Sequence, residues 1–258
     1  MGTSITFASG KGGTGKSVVV VNLGLALAQM GKKVIIVDAD VAMANIGLML
    51  GIERAPISLH NVLMGENSIR DAVYEGPGGI KYVPASLSIE RFRRLDYDKL
   101  KDAIAELEKQ ADYVLIDSAP GIGPDAEAAM KAGRETILVV VPEPVCLADS
   151  FKMKTFAEKQ NVKVRGFVAN MVLGDKSEIK TADLETVLGV PVLAVIPEDV
   201  ETRRSTALQQ PLFLRTPNAP FARAMRQLAS KLTGEKPRES KPSGGGFFSF
   251  LFGIFKKK

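Results

Sequence analysis

The segment Gly10–Ser17, GKGGTGKS, sets four glycines around Lys11 and Lys16 and closes on a serine hydroxyl. It follows an apolar, β-branched run, SITFAS, and opens a long apolar helical pattern, KSVVVVNLGLALAQMG. This is the spacing G-x-x-x-x-G-K-[ST] in the strand–turn–helix setting that gives it meaning. Glycines let the backbone curl until several N–H groups face one anion. The first turn of the helix adds its own partial positive charge. A nucleotide is the anion such a loop suits. Lys16 would neutralise its β- and γ-phosphates, and the Ser17 hydroxyl would bind Mg²⁺. The predicted contacts run from Gly10 through Lys11, Gly12, Gly13, Thr14, Gly15, Lys16 and Ser17 to Val18.

Hydrolysis needs carboxylates as well, and the sequence offers three at the ends of apolar runs. Asp38 and Asp40 end KKVIIVDAD, and Asp117 ends the aliphatic stretch of YVLIDSAPGIG. In open parallel sheets ligands bind outside the carboxyl ends of strands. One carboxylate there can orient an attacking water and others can hold Mg²⁺ or its waters. An in-line attack on phosphate asks for positioning more than for a strong base, so an ordinary Asp suffices. Asp38 and Asp117, with Ser17, are the candidate metal residues. Gly121 and Gly123 give the segment after Asp117 the freedom to move toward a γ-phosphate.

The elements that must hold these groups alternate along the chain. Strand-like runs are SITFAS, KKVIIVDAD, IKYVPA, DYVLIDSA, ETILVVVPE, VKVRGFVANMV and VPVLAVIPE, with helical patterns such as DYDKLKDAIAELEKQ and LADSFKMKTFAEKQ between them. PFARAMRQLASKL reads as the last helix of the folded body. That order predicts an α/β fold in three layers, a mostly parallel twisted sheet with helices on both faces. At 258 residues, 45% hydrophobic and 24% charged, the chain suits one large domain. Cys146 is the only cysteine and His60 the only histidine. A disulfide within the chain is therefore excluded, and zinc sites and Ser/His/Asp triads have no support. Cys146 is expected to be a structural thiol in a reducing cytoplasm. His60, in the short helix SLHNVL, is expected to be a surface or satisfied residue. The opening MGTSITFASG lacks a basic, long apolar leader, so no secretory signal is expected.

Lys11 is more than a phosphate cradle requires. With it, KGGTGKS resembles the deviant phosphate loop of the ParA/MinD superfamily of ATPases, and the resemblance runs over nearly the whole chain. It implies ATP and Mg²⁺ as ligands and an ATP-dependent homodimer in which Lys11 reaches the partner's phosphates. A cation supplied in this way neutralises charge that develops in the transition state. VDADVAMANIG resembles the family's first switch segment, which implies that Asp40 positions the nucleophilic water and Asn45 approaches the partner's nucleotide. By the same resemblance Asn170, in GFVANMV, reads the adenine edge, and Pro197–Asp199, in AVIPED, walls the base. Two departures stand out. Ser17-Val18 replaces Thr-Thr, which keeps the metal hydroxyl but removes a donor to the α-phosphate, a loss of about 1 kcal/mol. Ala119-Pro120 also reverses the Pro-Ala order usual after the Asp117 position.

The rest of the charge sits at the end of the chain. From Lys231 onward seven basic residues face Glu235 and Glu239, which accounts for the whole net charge of +5. TGEKPRESKPSGGG has no aliphatic residue and reads as a linker. It precedes FFSFLFGIFKKK. Phe247, Phe248, Phe250, Leu251, Phe252, Ile254 and Phe255 would cover most of a helix, with Lys256, Lys257 and Lys258 near lipid head groups. Nine residues rise about 14 Å, too short to span the roughly 30 Å hydrocarbon core. The expected organisation is residues 1–232 as an ATPase domain, 233–246 as a linker and 247–258 as an amphipathic membrane-targeting segment. Two weak tails joined in a dimer would bind more firmly by about 10²–10⁴. This predicts a cytoplasmic switch, peripheral on the cell membrane, with itself, an anionic lipid surface and a protein effector or activator as partners. The alternatives are a DNA-binding partition ATPase, disfavoured by the near-neutral body, a flagellum-placement ATPase, and a scaffold that hardly turns over.

Overall fold

The computed structural model describes residues 1–52, 55–86 and 95–236. Its strands are β1 (Thr3–Ala8), β2 (Val34–Ala39), β3 (Tyr74–Glu75), β4 (Lys81–Val83), β5 (Tyr113–Ser118), β6 (Glu135–Val140), β7 (Val164–Val172) and β8 (Val192–Pro197). They form one sheet in the order β3-β4-β2-β5-β1-β6-β7-β8. Only the β3–β4 pair is antiparallel. The helices are α1 (Lys16–Gln29), α2 (Ile46–Met49), α3 (Leu59–Leu63), α4 (Lys99–Leu107), α5 (Pro124–Ala132), α6 (Pro144–Lys159), α7 (Thr181–Leu188), α8 (Val200–Ala207), α9 (Leu212–Arg215) and α10 (Pro220–Thr233). The predicted three-layer α/β fold is the one observed.

Alternation along the strands divides the core. Ile5, Phe7, Val34, Ile36 and Leu115 join the cluster beneath α1 and α10. Ile35, Val37, Val114 and Ile116 join the one beneath α3, α4 and α5. A third cluster packs α6 and α7 on β6 and β7 through Met153, Ala157, Leu184 and Phe167. Because side chains alternate with a period of two, Asp38 falls in the set of Val34 and Ile36, and Asp117 in that of Leu115. Both carboxylates are thereby directed to the α1 side.

Every strand expected from the sequence is present. β3 was not expected: two residues are too few to show a pattern, and the pair is fixed from outside by Tyr74 and Tyr82, whose ring centroids lie 5.8 Å apart. α8 buries only Ser205 and so carries no apolar stripe to read. His60 is fully buried and its Nδ1 accepts the Ser86 N–H at 3.0 Å, so it is a hydrogen-bonded interior residue and not a surface one. α10 ends at the edge where the strands begin, with the Leu232 carbonyl 3.4 Å from the Tyr113 hydroxyl and Lys231 Nζ donating to the Val192 carbonyl at 2.8 Å. Glu235, just beyond it, pairs with Lys32. No helix among the described residues is long and apolar enough to cross a membrane. Most of the expected linker and the whole Phe-rich segment, residues 237–258, lie outside the described residues.

Candidate phosphate-binding site

A pocket of about 320 Å³ opens at the carboxyl ends of the central strands. Its floor is the loop from Gly12 to Val18, and its wall is formed by Asp40, Met43, Asn45, Met49 and Pro120. Gly15 is the N-cap of α1, with no side chain bonded to the first N–H groups of the helix. Those donors are left for an anion. Gly15 also has φ +79°, and a Cβ there would lie 2.3 Å from Asn170 Nδ2. Only glycine fits that point of the loop.

Lys16 is 6% exposed and its Nζ meets Asp117 Oδ1 at 2.5 Å. Asp117 and Asp38 are direct partners in the β2–β5 register. Asp38 Oδ2 accepts the Asn45 and Ile46 N–H groups, each at 3.1 Å. The other oxygens, Asp38 Oδ1 and Asp117 Oδ2, are buried without a hydrogen-bond partner among the described residues. Burial, then the neighbouring Asp117 charge, pushes the Asp38 carboxyl up to about 8, against the opposing pull of the Ile46 N–H and Lys16. Burial likewise raises Asp40, although its Oδ1 accepts the Met43 N–H at 3.0 Å.

Two unpartnered buried oxygens beside one lysine are an acceptor surplus that a divalent cation would relieve. Among the described residues no three His, Cys, Asp or Glu side chains form a complete metal cage. Asp38, Asp117 and Ser17 are instead a partial set, the kind Mg²⁺ uses when phosphate and water supply its remaining ligands. The predicted metal residues therefore fit the ion.

Lys11 stands outside the pocket lining. Its side chain is 38% exposed and its Nζ lies 3.5 Å from Glu143 Oε2 at the start of α6. Hydrogen bonding to the Cys146 thiol, reinforced by Glu143, raises the lysine further above its usual range. Cys146 is buried with its Sγ 3.8 Å from the same carboxylate. Neither Glu143 nor Cys146 was singled out beside Lys11 by sequence reasoning. The available signal was that Glu143 follows a strand, in VVVPEP, at the edge where ligands bind. Gly121, expected to be free to move, donates its N–H to the Ser9 carbonyl at 2.9 Å, tying the segment after Asp117 to the phosphate loop.

The residues expected at the base lie behind the loop and at the end of β8. Asn170 is 4% exposed and its Nδ2 donates to the Thr14 carbonyl at 2.8 Å, so in this structure it braces the loop from behind. The next residue, Met171, has φ +58°. Its Cε is 3.2 Å from where a Gly15 Cβ would stand. Pro197 ends β8, and Asp199 caps α8 by accepting the Glu201 N–H at 2.9 Å. Neither lines the loop pocket. Asn45 is exposed at the pocket mouth, with its Nδ2 donating to the Met43 carbonyl at 2.6 Å.

Comparison with known proteins agrees with this geometry. Residues 5–212 match the CobQ/CobB/MinD/ParA nucleotide binding domain. An uncharacterized ATP-binding protein of Methanocaldococcus jannaschii is 38% identical over 260 residues, covering 100% of this chain and 98% of its own. The antiactivator FleN of Pseudomonas aeruginosa is 29% identical, over 88% of this chain and 85% of its own. The septum site-determining protein MinD of Pyrococcus horikoshii, solved in complex with Mg-ADP, superposes with a TM-score of 0.85 at 37% identity, covering 90% of this chain and 96% of its own. Phosphate loop, paired carboxylates and sheet order thus coincide with a domain match over most of the chain, and the chain belongs to the CobQ/CobB/MinD/ParA nucleotide-binding family.

Proposed function

We propose that this chain is a Mg²⁺-dependent ATPase of the MinD type, which pairs with a second copy when it holds ATP and separates after hydrolysis. The observation that carries the reading is the pocket in which Asp40 faces the Gly12–Val18 loop. The loop N–H groups and Lys16 bind the phosphates, and Asp40 orients the attacking water in line. Asp38, Asp117 and Ser17 would hold the metal, which supplies charge neutralisation at the β- and γ-oxygens when bound. Lys11, on an exposed side chain at the rim, is the group available to a partner's phosphates. Exclusion of water and completion of the charge set then depend on dimerisation, so turnover is slow in the monomer.

In this reading the Phe-rich segment at 247–258 supplies a membrane grip that is weak singly and firm in pairs. The protein then works at the inner face of the cell membrane and recruits an effector there in its ATP state. Sedimentation velocity with a slowly hydrolysed ATP analogue and Mg²⁺ tests the core of it. Wild type should dimerise, Lys11→Ala should not, and Asp40→Ala should dimerise with ATP itself and stay so. A wild-type chain that remains monomeric at saturation refutes the proposal. The relation to FleN supports a second reading, in which the ATP state restrains the activation of another protein. Vesicle binding unaffected by nucleotide would favour that reading.

A further inference from the structure

Where β6 and β7 begin, at the edge of the sheet opposite the phosphate loop, lies a cleft of about 420 Å³. The first turn of α4, the end of α5 and the connection from α6 to β7 bound it. Lys101, Lys131, Arg134 and Lys163 line it against one carboxylate, Asp98.

Part of this charge has an internal role. Arg134 commits its fork to buried Glu108, with Nε and Nη2 each 2.7 Å from a carboxylate oxygen. Lys131 lies in the last turn of α5, where a cation suits the helix dipole, and pairs with Glu127. Lys101 and Lys163 have no such account. Lys101 sits in the first turn of α4, where the dipole opposes a cation. It is exposed and makes no ion pair among the described residues. Lys163 is 73% exposed and 3.3 Å from Glu135, a carboxylate that Arg165 already holds at 2.6 Å. The donors also indicate the kind of anion. Phosphate groups are bound best by converging backbone N–H groups or an open guanidinium fork. Here the fork is occupied, and the remaining cations are lysines, separate point charges on flexible stems. Charges of that kind suit carboxylates spaced along a chain. Gln160 and Asn161 also line the cleft, and their side-chain amides can pair with peptide groups.

We propose that this cleft docks an acidic segment of a partner protein, whose carboxylates meet Lys101, Lys131 and Lys163. The inference goes beyond the ATPase reading and does not depend on it. The cleft lies at the opposite edge from the phosphate pocket, so two copies that pair across their pockets leave one cleft open on each. The partner therefore stays with the chain through the whole nucleotide cycle, unlike an effector recruited only by the ATP state.

The test titrates the full chain, loaded with Mg²⁺ and either ADP or a slowly hydrolysed ATP analogue, into a fluorescein-labelled hexaglutamate peptide at low salt. Bound nucleotide keeps the probe away from the loop cations. Anisotropy gives the affinity, and a carbodiimide, which joins carboxylates to lysine amines, marks the contact for mass spectrometry. Cross-links should fall on Lys101, Lys131 and Lys163, and the affinity should be the same with either nucleotide. Each exposed charge contact is worth about two- to fivefold. The combined Lys101→Gln, Lys131→Gln and Lys163→Gln variant should therefore bind about tenfold more weakly or worse. The corresponding Lys→Arg triple should bind as wild type, which separates lost charge from lost folding. Glutamine-triple binding equal to wild type, or cross-links confined to Lys256, Lys257 and Lys258, overturns the proposal. So does an affinity that changes with the nucleotide, since the cleft would then belong to the switch. Pyrophosphate or duplex DNA that displaces the peptide more readily than unlabelled hexaglutamate assigns the cleft to phosphate and overturns it too. A chain that stays monomeric with the ATP analogue, yet cross-links at these lysines, refutes the dimer reading and leaves this one standing.

Discussion

Gly15 and Asn170 should behave as one energetic unit, although 155 positions separate them. Asn170→Ala removes the buried donor of the Thr14 carbonyl, a loss of about 1–3 kcal/mol. Gly15→Ala forces a side chain onto a backbone at φ +79°, which costs about 1–2 kcal/mol. Its Cβ would also stand 2.3 Å from Asn170 Nδ2. The amide must then leave Thr14, and the same hydrogen bond is lost again. The double variant loses that bond once and has room for the new methyl group. Its destabilisation should fall short of the sum of the singles by about 1–3 kcal/mol. Urea unfolding of the nucleotide-free protein at neutral pH measures all three values, and binding of a fluorescent nucleotide should weaken in parallel. Single effects that add to within about 0.5 kcal/mol would show that Asn170 does not brace the loop.

Three further outcomes follow from the charges. Lys16→Met leaves Asp117 buried without its cation and should destabilise the nucleotide-free protein by about 3–5 kcal/mol, read as a fall in Tm, besides abolishing nucleotide binding. Asp38 is raised from 3.8 to about 8, so between those values the folded chain holds a proton that the unfolded chain releases, and stability declines as pH rises. Asp38→Asn keeps an oxygen for the Asn45 and Ile46 N–H groups, and should flatten that decline and raise neutral-pH stability in denaturant titrations. Glu108 shifts the other way: burial works to raise it, but hydrogen bonds from Arg134 and Ser4 prevail and hold it below 4.5. The stability it lends is complete above that value and fades as pH falls through its lowered pKa. Glu108→Gln should therefore be less stable than wild type at neutral pH and show a shallower acid limb.

The phosphate loop was legible because its chemistry is written in consecutive residues, and the strand and helix around it carry their own periodicity. Asp38 and Asp117 were legible as strand-end carboxylates. Their adjacency was not, since register is set by packing of β2 on β5 and no local pattern encodes it. The role expected for Asn170 at the adenine edge comes from resemblance to the family. Its bond to Thr14 depends on how close β7 passes behind the loop, a distance that alternation does not carry. Glu143 and Cys146 escaped notice beside Lys11 for the same reason: their meeting is tertiary. β3 and α8 were missed because one is too short and the other too polar to show an apolar repeat.

The contact between Lys16 and Asp117 has a thermodynamic corollary. A phosphate that draws Lys16 toward itself bares Asp117, and a divalent ion that settles on Asp117 frees Lys16. The two ligands thus remove each other's obstacle, in addition to attracting one another directly. Linkage then requires reciprocity: whatever factor the ion adds to the affinity for nucleotide, the nucleotide adds to the affinity for the ion. Binding of either ligand would therefore favour binding of the other.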